Sequence, residues 1–148
     1  MNVPQDKSNG VSVDEKGIEG ISLRHLPARK LAVIEATGKP TAYDFKQCTL
    51  NMLGHSAWQP GWNVLVDYRR LTNFGFSTEG IRDINLLFRQ YSREMGDGRC
   101  AVVVPSIFVL GLFNMWKPWL PDELQWEVRA FRKIDEACLW LGVNCREL

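Results

Sequence analysis

Asp67 closes the apolar run WNVLVD and is followed closely by Arg69 and Arg70. A carboxylate beside two guanidinium groups at the end of a buried strand can form a ligand site, because open α/β sheets bind at the carboxyl ends of their strands. The same carboxylate can be structural, satisfied by N–H groups of its own loop. Catalysis would need more than this corner supplies. The chain has no evident nucleophile and base and no GxGxxG or GxxxxGKS loop, so no enzyme and no cofactor is expected. Its two histidines, His25 and His55, fall in different predicted elements. They are too few for a triad or a multi-histidine metal site, and are expected at surface or turn positions. Cys48, Cys100, Cys138 and Cys145 form no CxxC pair. Neither a zinc knuckle nor a thioredoxin-type motif is available, so the expectation is reduced, buried thiols, with Cys145 the most exposed, and no metal.

Composition limits the frame in which such residues can act. A chain of 148 residues makes one domain with a real core. A formal net charge of +1 gives no broad electrostatic footprint for nucleic acid, and none is expected as a partner. The opening MNVPQDKSNG lacks the basic and apolar regions of a secretory signal, which predicts a cytoplasmic protein. The most apolar stretch, Ala101 to Phe113, is too short to span a bilayer, so no transmembrane segment is expected. Residues 1–20 show no apolar periodicity and read as a disordered tail, and residues 21–148 as the single folded domain.

Within that domain, Ile21 to Leu26 and Lys30 to Thr37 predict two strands joined by a tight turn at Pro27 and Ala28, an antiparallel hairpin. Thr41 and Asp44 make a capping-box start to a helix that places Phe45, Cys48 and Met52 on one face. Trp62 to Asp67 predicts a strand buried on both faces, and YRRLTNFGF a loop leading to Ser77, a good N-cap. Ile81, Ile84, Phe88, Tyr91 and Met95 then form the stripe of one helix, closed by Gly96 and Gly98. Cys100 to Val104 reads as a buried strand, Ile107 to Trp116 as an apolar helix, Gln125 to Phe131 as an alternating strand, and Ile134 to Leu141 as a closing helix before Gly142. The order β-β-α-β-α-β-α-β-α predicts an α/β domain. Its mixed, mostly parallel sheet has about five strands, including an N-terminal antiparallel hairpin strand, and is flanked by four helices.

From about Ile21 to Val143 this pattern resembles the STAS domain, the fold of the anti-sigma factor antagonists, and more closely its SpoIIAA-like branch of small bacterial proteins. The resemblance is carried by VLVDYRRLTNFGFSTEGIRDI (Val64 to Ile84), CAVVV (Cys100 to Val104) and VRAFRKIDEACLWLG (Val128 to Gly142). The last is similar to the family's closing pattern, a strand ending in Phe-Arg and a short acidic helix ending in Trp-Leu-Gly. The resemblance implies a non-enzymatic regulatory domain that binds a partner protein. It also implies a phosphosite, since the antagonists carry an Asp-Ser-Ser-Gly-like motif after the central strand. Laid without gaps from Asp67, that motif falls on Gly75, Phe76, Ser77 and Thr78, so only a serine at Ser77 survives. A phosphate there would sit at a helix N-terminus within reach of Arg69 or Arg70, whereas the plain alternative for Ser77 is the cap alone.

Ile107 to Pro121 is apolar on too many sides for a helix that covers one face of a sheet. Phe113, Met115, Trp116 and Trp119 can line a hydrophobic pocket, pack on a second subunit, or touch a membrane surface. Core packing with a homodimer contact is the first expectation. The alternative is a carrier or sensor of a small hydrophobic, lipid-like ligand held near the Ile107–Trp119 helix, argued from the aromatic excess and kept open by analogy alone with the SEC14 fold, with which some SpoIIAA-like proteins are grouped.

Overall fold

The computed structural model describes residues 20–73 and 76–148. The tail expected over residues 1–20 thus lies outside the described residues, Gly20 excepted, as does Gly75 of the motif alignment. Strands β1 (Ile21–Leu26) and β2 (Leu31–Gly38) pair antiparallel, from Ile21 opposite Ala36 to Leu26 opposite Leu31. A 3-10 turn over Pro27–Arg29 joins them. Proline presets the first turn dihedral, and Lys30 completes the reversal at φ 50°, its N–H bonded to Pro27 O.

The remaining strands β3 (Asn63–Leu71), β4 (Arg99–Val103) and β5 (Glu127–Phe131) add in parallel, so the spatial order β1-β2-β3-β4-β5 repeats the chain order. Every crossover therefore steps the same way, and right-handed connections must place their helices on one face of the sheet. On that face pack α1 (Ala42–Gly54), α2 (Thr78–Gln90) and α4 (Ile107–Trp116), with a single turn, α3 (Ser92–Met95), following α2. α5 (Ile134–Leu141), which follows β5, covers the opposite face. Period-2 alternation divides each apolar run between the two sides. Val64, Val66, Cys100 and Val102 face α1, α2 and α4, whereas Leu65, Ala101 and Val103 face α5.

The fold expected from the sequence is the one observed, with local corrections. The Thr41–Asp44 capping box forms in both directions: Thr41 Oγ1 accepts from the Asp44 N–H at 3.1 Å, and Asp44 Oδ2 accepts from the Thr41 N–H at 2.8 Å. The segment from Tyr68 to Leu71, expected as loop, is strand. β2 and β3 keep pairing past a bulge in which the step from Glu35 to Thr37 is matched by the longer step from Asp67 to Arg70. The helix expected from Ile81 to Met95 is interrupted at Tyr91, whose ψ of 21° leaves the helical path, so a fifth helix appears among the described residues. The break lets the end of α3 dock on the Gly61 turn. A Cβ on Gly96 would stand 2.2 Å from Gly61 N, and one on Gly98 2.3 Å from Trp62 O, so only glycine admits this approach.

Two residue classes sit differently from expectation. His25 and His55 are buried, not at the surface, because His25 follows Ile21 and Leu23 on the inner side of β1 and His55 caps the inward end of α1. The four thiols are not all reduced: Cys138 and Cys145 are disulfide-bonded, with Cα atoms 5.8 Å apart, and Cys145 is half-buried. Gly142, left-handed at φ 76°, reverses the chain while the Val143 N–H bonds back to Cys138 O, and this brings Cys145 over α5. Cys48 and Cys100 are free and buried.

Candidate functional site

α2 packs chiefly on α1, and α4 chiefly on β5. Between them, over the middle of the sheet, lies a cavity of about 170 Å³. Its floor is Ile34, Val64, Val66, Cys100, Val102 and Val128 from the strands. α1 contributes Phe45, Cys48 and Met52, α2 contributes Ile84, Leu87 and Phe88, and Phe113, Trp116 and Leu120 close it from α4 and the turn beyond. Each group lies on the inner side of its element, so the interior here is apolar. Two polar links join α2 to the segment after α4: Asn85 Nδ2 donates to Trp119 O at 3.2 Å, and Arg89 Nε lies 3.5 Å from Glu123 Oε2. The Phe88 ring meets Trp126 at 5.9 Å between centroids.

The ionisable groups in this cavity are quiet. Burial pushes the Cys48 and Cys100 thiols up to about 12, and it moves the Tyr68 hydroxyl well above the ordinary phenol range, with the two thiols adding to the rise. All three stay protonated at neutral pH, so none is an activated nucleophile or base.

Its neighbour is the histidine pair. The His25 and His55 rings stack at 3.9 Å between centroids, 14° from parallel. His25 Nε2 donates to Met52 O at 3.0 Å, and His55 Nδ1 accepts the Ala57 N–H at 3.0 Å. The pair thereby fastens β1 to the end of α1, whose Met52 side chain lines the cavity.

The residues singled out from the sequence separate into three places. Phe113 and Trp116 line the cavity, whereas Met115 and Trp119 point outward at 65% and 59% exposure beside Ile107 and Phe108 at 72% and 74%. One apolar helix therefore has an inner face on the cavity and an outer face uncovered among the described residues. Asp67 stands on the α5 side, and its oxygens accept from Arg69: Oδ1 from the backbone N–H and from Nε, both at 3.0 Å, and Oδ2 from Nη2 at 2.8 Å. Burial would raise the Asp67 pKa, but these bonds and the charges of Arg69 and Arg70 hold it below the usual carboxylate range. Because the strand order never reverses, the sheet has no switch-point crevice at this corner. Ser77 caps α2, its Oγ accepting the Gly80 N–H at 3.0 Å, and shares a shallow depression with Lys39, Thr41 and Asn73. Arg69, committed to Asp67 and sensing Glu35 and Asp135, is turned elsewhere.

Sequence reasoning passed over most of the cavity wall. Lys46, Thr49, Tyr68, Asn85 and Trp126 all line it. Tyr68 was legible in principle, since it lies at an even step from Val64 and Val66 on β3, and Trp126 lies two residues before Val128, just ahead of β5.

Five strands in sequential order, the first antiparallel, with three crossover helices on one side and a closing helix on the other, constitute a SpoIIAA-like α/β fold. Among solved structures the chain is similar to an uncharacterized protein of the DUF3478 family with a SpoIIAA-like fold from Shewanella loihica PV-4. The two share 20% identity at a TM-score of 0.58, over 86% of this chain and 98% of that one. The sequence matches no family model and no curated protein. Among the described residues no helix is long and apolar enough to cross a membrane, and no group of acidic, histidine or cysteine side chains could hold a metal ion.

Proposed function

We propose that this chain is a non-enzymatic binding domain that holds a small hydrophobic molecule between its sheet and helices α1, α2 and α4. The observation that carries this reading is the apolar cavity of about 170 Å³ between the sheet and these helices. Protein interiors pack like organic crystals, so apolar space left between sheet and helices is a departure from close packing. An apolar cavity of about 150 Å³ is enough to bind benzene. The protonated thiols and phenol supply no reacting group, which supports binding without turnover.

A second reading is favoured by the outer face of α4. Ile107, Phe108, Met115 and Trp119 form an exposed apolar strip of the kind that docks a protein surface, either a regulatory partner or a second copy of the chain. The two readings use opposite faces of one helix, so one experiment addresses both. Native mass spectrometry of protein purified gently from its own host reports subunit count and any retained small molecule together. The expected spectrum carries a stoichiometric adduct that Ile84→Trp, which fills the cavity, removes. A dimer that Trp119→Glu dissociates supports the docking face. A bare mass, with no binding of apolar dyes competed by hydrophobic compounds, overturns the cavity reading.

A further inference from the structure

The polar groups of the cavity wall indicate the charge of what it takes. Among the described residues, Lys46 and Lys117 are the only charged residues that line it, and no carboxylate does. Neither lysine side chain makes an ion pair or hydrogen bond among the described residues. The other polar groups are largely committed: Thr49 Oγ1 donates to Phe45 O at 3.0 Å, and the Asn85 amide to Trp119 O at 3.2 Å. The indole Nε1–H of Trp126, by contrast, is buried without an acceptor among the described residues. Of these donors only the Trp126 N–H is buried and unpaired, which is costly; the half-buried Lys46 and the exposed Lys117 add positive charge beside the same apolar space, and together they favour an acceptor with negative charge.

We infer that the ligand is a small amphipathic anion, a carboxylate carried on a single ring or a short alkyl chain, with Lys46, Lys117 and the Trp126 N–H as its donors. This rests on the hydrophobic-ligand reading above and deepens it. Size limits the apolar part, since about 170 Å³ is close to the space that accepts benzene and far too little for a two-chain lipid.

The test uses the full chain and three probes of one length: octanoate, 1-octanol and octylammonium, titrated by calorimetry and tryptophan fluorescence. Octanoate is expected to bind at least tenfold more tightly than octanol, with octylammonium weakest. Lys46→Met with Lys117→Met, which keeps the apolar stems, should bring octanoate down to the octanol level and leave octanol unchanged. Equal binding of octanoate and octanol overturns the anion inference while leaving the hydrophobic cavity standing. A lysine variant that weakens octanol as much as octanoate overturns the assignment of the lysines. Failure of all three probes to bind overturns both the inference and the reading beneath it.

Discussion

The two faces of the sheet are built from the same strands and behave as opposites. On the α5 side, Leu31, Ala101 and Val103 are fully buried against Ala137, Cys138 and Leu141, and one short helix closes the layer. On the other side three helices cover a wider area and still leave the cavity. More covering chain has not produced closer filling: α2 packs on α1 and α4 on β5, and the cavity lies between them over the sheet. The tight face supplies rigidity. The open face is where the fold departs from close packing, and such departures point to function.

Neighbouring residues of identical type on β4 test this contrast most sharply. Val103 faces α5 and Val102 lines the cavity. Val103→Ala should lower stability by about 2–3 kcal/mol, because its methyl groups lose a full shell of contacts. Val102→Ala should lower it by about 1 kcal/mol or less, since part of that shell is already missing. Urea unfolding of both variants measures the difference, and equal losses would mean that the two faces are packed alike. The next effect in size concerns the clamp on the tight face. Cys145→Ser, or reduction of the wild type, should cost about 2 kcal/mol by freeing the chain end in the unfolded state, read as a fall in the urea midpoint with hydrophobic probe binding unchanged.

The smallest effect belongs to the Asp67 corner. Its folded pKa lies below the unfolded value, so its contribution is complete above about pH 4 and is lost as the pH falls through the folded value. Wild-type stability should therefore drop on acidification below about pH 4 by more than that of Asp67→Asn, which has no carboxylate to protonate. Parallel pH profiles for the two proteins would remove the ion pair from the account of the tight face.

Most of this architecture could be read from residues. Val64 to Asp67, Cys100 to Val104 and the stripes of α1 and α4 announced the layers, and Thr41 and Ser77 announced two helix starts. What escaped reading depends on distant partners. Tyr68 to Leu71 is polar enough to look like loop and is strand only because Thr37 and Gly38 pair with it beyond the bulge. His25 was masked by its polarity, although its even spacing from Ile21 and Leu23 placed it inside. The Cys138–Cys145 bridge required the reversal at Gly142. The cavity escaped altogether, because a void is set by how far apart α2 and α4 rest, and no local pattern encodes that distance. Among the apolar residues of α4 and the turn beyond it, spacing alone could not separate Phe113 and Trp116, turned inward, from Met115 and Trp119, turned out.

The sequential strand order also has a consequence for how the chain assembles as it is made. Each new strand joins an edge that already exists, β2 on β1 and so on to β5, so no strand must be inserted between two others and loop-closure entropy stays low at every step. The face carrying Leu31, Leu65 and Val103, however, has no cover until α5 emerges after all five strands. During synthesis that surface is the one exposed to chaperones and to aggregation, and the reversal at Gly142 with its bridge fastens the piece that ends the exposure.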